Sequence, residues 1–176
     1  TYSPPMTPMP AQVAPALGGR GWDMDASLDR PAGAGGVLYA TGTEDSGFSW
    51  FVQDDHLLFD YNAFGDHDLV RSSEPVPTGA STVGLRFRRD GDGATATLLI
   101  DGSEVGTLAI PYAMRVISSV GPSVGYDHGS PVSEAYQAPF RFEGDLRRLD
   151  VALVSSKPST EAEVTASEAR AGMAEQ

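Results

Sequence analysis

Cysteine is absent from the 176 residues. Disulfides, cysteine nucleophiles and thiolate metal sites are thereby excluded. The absence fits a cytosolic protein, but many exported proteins also lack cysteine, so the compartment stays open. Basic residues are few: 12 Lys and Arg face 24 Asp and Glu, a formal net charge of −12. Binders of nucleic acid and of anionic membranes concentrate Lys and Arg, so neither partner is expected. The acidity serves solubility, or forms a face that attracts cations. No apolar run approaches the roughly 18–20 residues of a membrane helix. No charged start leads into an apolar stretch of the signal-peptide kind, a feature that a fragment or a mature form would also lack.

Several catalytic signatures are missing too. There is no G-x-S-x-G elbow to present a hydrolase serine. "AGAGGV" (Ala32–Val37) lacks the G-K-[ST] ending and helical setting of a phosphate loop, and reads as a turn between strands. His56, His67 and His128 are scattered rather than spaced as metal ligands on one helix face, and read as histidines beside carboxylates. The pairs Asp54–Asp55, Asp66–Asp68 and Asp90–Asp92 fall in expected turns. There Asp caps backbone donors instead of flanking a glycosidic bond.

What is present suffices for one folded domain: 40% of residues are hydrophobic and 9% aromatic. Residues 1–19 carry Pro4, Pro5, Pro8, Pro10 and Pro15 and read as an extended strap. Residues 20–156 alternate with period two. "WDMDASL" sets Trp22, Met24, Ala26 and Leu28 on one face and Asp23, Asp25 and Ser27 on the other; "STVGLRFRR" does the same with Val83, Leu85 and Phe87. Asp-Gly pairs in "RRDGDGAT" and "IDGSEV" supply the positive φ of tight hairpins, so Ser81–Ile110 is expected to be a three-stranded meander. With no amphipathic helix between strands, the expected fold is all-β, an antiparallel two-sheet β-sandwich. Residues 157–176 are rich in Ala and Glu. Thr160 followed by Glu163 fits a capping box, so a short C-terminal helix is expected.

Aromatic residues Trp50, Tyr61, Phe64, Tyr126 and Tyr136 fall on or beside strands. They either fill the core or line a concave face that stacks sugars. Trp50, Tyr61, Tyr126, Asp127 and His128 form the candidate binding set; no catalytic residue and no metal ligand is assigned. Gly125–Leu146, "GYDHGSPVSEAYQAPFRFEGDL", reads as a strand end at Val124–Tyr126, a loop on Gly129-Ser130-Pro131, and a strand returning from Phe140. Asp127 and Ser130 are expected to bond the loop's own backbone.

The run Gly-x-x-x-Gly-Ser-Pro-Val-Ser-x-x-Tyr (Gly125–Tyr136) is followed by Pro139-Phe140-x-Phe142-x-Gly144. With Phe59-x-Tyr61-Asn62, it resembles the C-terminal domain of large bacterial arylsulfatases. The resemblance spans about Tyr2–Leu153, and its meander is also similar to laminin-G and concanavalin-like jelly rolls. It implies a non-catalytic jelly-roll accessory domain that packs against a sulfatase catalytic domain, in the same or a separate chain. The family's formylglycine precursor and its Asp, Asn and His cluster match no position here. "SKPST" (Ser156–Thr160) resembles the start of the S-x-P-S-R sulfatase signature, but Thr160 stands where Arg is required. No cofactor is expected; if calcium bound, loop carboxylates such as Asp127 would ligate it in the manner of laminin-G domains. Thr1 looks like a cut from a longer chain, or the start of a gene encoding this half alone. The rival readings are a stand-alone carbohydrate-binding module and a glucanase-like hydrolase, whose E-x-D-x-x-E pattern is absent.

Overall fold

A computed structural model describes residues 1, 14–115, 117 and 120–154. Among these there are ten strands and no helix. The helix expected over 157–176 and most of the strap lie outside the described residues. The strands are β1 (Trp22–Arg30), β2 (Gly36–Thr43), β3 (Ser46–Gln53), β4 (His56–Ala63), β5 (Asp66–Pro75), β6 (Gly79–Asp90), β7 (Gly93–Ile100), β8 (Ser103–Ile110), β9 (Ser123–Val124) and β10 (Asp145–Leu153). Five form a first sheet in the order β10-β1-β6-β7-β8; the others form a second, β5-β4-β3-β2-β9. Neighbouring strands pair antiparallel throughout. The expected meander is β6-β7-β8, with Asp101-Gly102 at its second turn.

Alternation along β1 explains its place. Trp22, Met24, Ala26 and Leu28 are buried between the sheets, while Asp23, Asp25 and Asp29 face outward. Trp22 is stacked between Phe48 (ring centroids 5.1 Å apart) and Phe87 (4.9 Å), and so joins the two sheets. The outward carboxylates meet arginines from neighbouring strands: Asp23 with Arg88 at 2.5 Å, Asp25 with Arg86 at 2.7 Å, Asp29 with Arg147 at 2.6 Å. Cross-strand pairs of opposite charge are what a solvated sheet face tolerates.

The second sheet is different. Strands β2, β3 and β4 are buried along nearly their whole length, on both faces. Their inner residues meet the first sheet, and their outer residues form a separate apolar cluster. Something must therefore cover the outer face.

One strand has no counterpart in the sequence pattern, and another begins later than expected. β5 is an edge strand, mostly exposed, so Asp66–Pro75 lacks an apolar alternation. The strand expected to return from Phe140 starts at Asp145 instead. Before it, Arg141 makes one isolated parallel bridge to Val37. Arg30 is an unforeseen clamp where the chain crosses from β1 to β2. Its buried guanidinium donates to Asp55 (2.7 Å), to the Val76 carbonyl (2.7 Å) and to the Ala34 carbonyl (2.9 Å).

Candidate functional site

The two-residue period of β3 and β4 turns Phe48, Trp50, Val52, Leu57, Phe59 and Tyr61 inward. It leaves Ser49, Phe51, Gln53, Leu58, Asp60 and Asn62 on the outside of the second sheet. Residues 125–142 lie across this outer face. Val132, Tyr136 and Phe140 pack on Val37, Ala40, Phe51 and Leu58. The Tyr136 ring meets Phe51 edge-on at 5.0 Å and stacks on Phe140 at 5.1 Å. Gly36 makes the close crossing possible. It has φ +127°, and a Cβ there would fall 2.3 Å from the Arg141 carbonyl oxygen.

Polar contacts fix the segment in place. The Ser133 hydroxyl donates to Asp60 Oδ2 at 2.5 Å, and His67 Nδ1 lies 3.0 Å from the same oxygen. The Tyr136 hydroxyl lies 2.6 Å from Asp127 Oδ2 and 2.8 Å from Ser49 Oγ. Its one proton goes to the carboxylate, and Ser49 donates to it in turn. Asp127 Oδ2 also accepts from the Val132 amide at 2.9 Å, closing the loop on itself. Asn62 donates to the Glu44 (2.8 Å) and Val132 (3.2 Å) carbonyls, and Gln53 to the Ala135 carbonyl (3.0 Å).

Burial raises the pKa of the Asp60 carboxyl, against the lowering effect of Ser133 and His67. It raises Asp127 likewise, against Tyr136 and the Val132 amide. The Tyr136 phenol is pushed up by burial and by the neighbouring Asp127 charge. Ser133, Asp60 and His67 share residue types with a hydrolytic triad but not its order. The hydroxyl bonds the carboxylate rather than the imidazole, so the imidazole is not placed to deprotonate Ser133.

The candidate binding residues are separated. Trp50 and Tyr61 have no exposed surface and lie in the intersheet core. Tyr61 accepts from the Met114 amide at 2.8 Å, and burial pushes its phenol up to about 12. Asp127 is buried, and its Oδ2 accepts from the Val132 amide and the Tyr136 hydroxyl. Among the described residues no three His, Asp or Glu side chains come together as a metal-binding group. Tyr126 and His128 stay near the surface with ring centroids 6.5 Å apart, and Arg141 covers the Tyr126 ring at 4.6 Å. Tyr126 and Arg141 wall a cleft of about 220 Å³ with Phe142 and Leu146.

A second cleft, of about 370 Å³, is lined by Phe64, Arg89, Asp92, Tyr112 and Arg115 with Ala113 and Met114. Phe64 is 74% exposed and Tyr112 52%. Of these residues the sequence singles out only Phe64. Tyr112 sits on the connection after β8, and nothing in its local pattern ties it to the β4–β5 turn.

Two stacked antiparallel sheets of five strands define the class, a concanavalin-like jelly roll. No family model matches the chain, and no curated protein matches it in sequence. The mouse laminin alpha1 chain, domains LG4-5, is similar in structure at 14% identity and a TM-score of 0.59. The match covers 84% of this chain and 41% of that one. The enzymatically active domain of bacteriophage CBA120 tailspike protein 2 is similar at 14% identity and a TM-score of 0.51, over 81% of this chain and 24% of that one. The chain thus spans less than half of either protein.

Proposed function

We propose that this chain is a non-catalytic accessory domain that packs against the catalytic domain of an arylsulfatase-like sulfuric ester hydrolase. The arrangement of Gly125–Gly144 carries the reading. This stretch holds the most specific part of the sulfatase-domain resemblance, and its reactive side chains are committed to the fold. Asp127, Ser133 and Tyr136 all bond inward, to the loop itself or to the second sheet. Acid–base or nucleophilic chemistry needs such groups facing a reactant. The motif therefore marks a way of closing a sandwich rather than a way of breaking a bond. The test is the mass and reading frame of the native gene product. A product several times longer, with a formylglycine motif upstream, supports the reading. A product of this size that does not associate with a sulfatase catalytic domain in analytical ultracentrifugation defeats it.

A second reading, a stand-alone saccharide-binding module, is favoured by one observation. Ion pairs lace one broad sheet face and a loop covers much of the other, yet Phe64 and Tyr112 leave aromatic surface exposed beside a cleft. Silence across a broad glycan array would count decisively against it.

A further inference from the structure

Phe64 occupies a position the fold does not require an aromatic to fill. It and Gly65 form the β4–β5 turn with φ +58° and +88°. This left-handed pair suits Asn or Asp followed by Gly, and strains a bulky side chain. Elsewhere the chain follows that preference. Asp54 (φ +49°) and Asp55 (+63°) make the β3–β4 turn, and Asp101 (+47°) with Gly102 (+82°) makes the β7–β8 turn. Those carboxylates help the fold: Asp101 accepts from the Thr82 amide at 2.8 Å, and Asp55 pairs with Arg30. Phe64 combines a strained backbone with an exposed ring. Strain held at an exposed site without a structural return points to a ligand.

The surroundings indicate what kind. Tyr112 lines the same cleft and is half exposed. Arg115 has no ion-pair partner among the described residues. Among the described residues Arg89 donates to carbonyl oxygens alone, those of Gly18 (2.7 Å), Ala113 (2.8 Å) and Met114 (3.2 Å), and pairs with no carboxylate. Asp92 is the one acid in the lining. By contrast Arg30, Arg86, Arg88, Arg147 and Arg148 all pair with aspartates. In a chain of net charge −12 the lining of this cleft carries two arginines against one aspartate. Ring faces stack on the apolar face of a sugar, and free guanidinium charge selects an anionic substituent. A volume near 370 Å³ sits at the small end of ligand clefts. A protein partner would need about 800 Å² of contact per side, while two isolated rings offer little apolar area.

We infer that the cleft between the β4–β5 turn and residues 112–115 binds an anionic saccharide, a sugar unit bearing sulfate or carboxylate. Phe64 and Tyr112 hold its ring and Arg115 its charge. The inference rests on the saccharide-binding reading and names its site and ligand.

The test is titration calorimetry of the full chain with a sulfated disaccharide from heparin, a galacturonic acid trisaccharide and a neutral galactose trisaccharide. Phe64→Asn and Arg115→Gln variants are run beside the wild type. Asn suits the turn, so Phe64→Asn removes the ring and keeps the hairpin, which circular dichroism verifies. At least one anionic sugar is expected to bind, and the neutral one roughly tenfold more weakly or not at all. Each variant is expected to lose about tenfold in affinity. Binding of the sulfated sugar alone, or of the uronate alone, identifies the anion, and either supports the site. Equal binding of the neutral sugar overturns the anionic assignment. Saccharide binding that both variants keep unchanged overturns this site and spares the saccharide reading. No binding of any sugar by the wild type overturns both.

Discussion

The Ser133 hydroxyl donates to the Asp60 carboxylate at 2.5 Å, joining a loop to a strand 73 positions earlier in the chain. This bond and the Tyr136–Asp127 bond hold residues 125–142 on the second sheet. Ser133→Ala leaves the buried Asp60 oxygen without one of its donors, and a buried acceptor so deprived costs about 1–3 kcal/mol. Urea unfolding of Ser133→Ala should show a lower midpoint with an unchanged slope. A midpoint equal to wild type would mean that the loop is held by Val132, Tyr136 and Phe140 packing alone.

Asp127 gives a dependence on pH with a definite sign. Burial keeps its carboxyl above the ordinary range, so the folded state retains this proton to higher pH than the unfolded chain. Its contribution is fully present below the unfolded pKa, about 3.9, and declines as pH rises through the folded value. Both of its donors converge on Oδ2, where an amide oxygen accepts them equally well. Asp127→Asn should therefore destabilise more at about pH 4 than at about pH 7. A penalty that grows with pH would refute the assignment of a raised pKa.

Trp22 and Trp50 are the two tryptophans of the chain, and neither has exposed surface. Native emission should be that of shielded indole, and acrylamide should quench it only after unfolding. Trp50→Ala removes a large side chain from between the sheets and should cost about 3–5 kcal/mol. Strong quenching of the native protein would show that a sheet face is open. Since a surface ligand cannot touch either ring, saccharide binding has to be followed by heat or by nuclear magnetic resonance.

The sequence makes some of this legible, and the reasons differ by strand. β1 and β6 declare themselves because one face is solvated: Asp23 and Asp25 alternate with Trp22 and Met24, and Arg86 and Arg88 with Leu85 and Phe87. In "FSWFVQ" and "LLFDYN" the apolar residues run almost without a break. In an antiparallel sheet that pattern means both faces are covered, and the cover here is the Gly125–Phe142 segment. Aromatic content alone does not separate core from ligand face, which is why Trp50 and Tyr61 enter the candidate set and end in the core. The Phe64–Tyr112 cleft depends on a turn geometry and a long-range approach, and neither leaves a local pattern.

The turn at Phe64 makes the last prediction. With φ +58° and a ring 74% exposed, this residue contributes backbone strain and little burial. Asn tolerates the left-handed region, because its short amide can bond nearby backbone. Asn62 already accepts from the Gly65 amide at 2.8 Å, so the hairpin keeps its internal bond when the ring is removed. Phe64→Asn should therefore stabilise the domain by about 1 kcal/mol, which raises Tm by roughly 2–4 °C at this size. Calorimetric melting of wild type and variant checks it. A gain in stability together with a loss of saccharide affinity would show a residue kept for binding at the expense of the fold. A loss of stability would instead make Phe64 a packing residue, and the case for the cleft as a ligand site would fall with it.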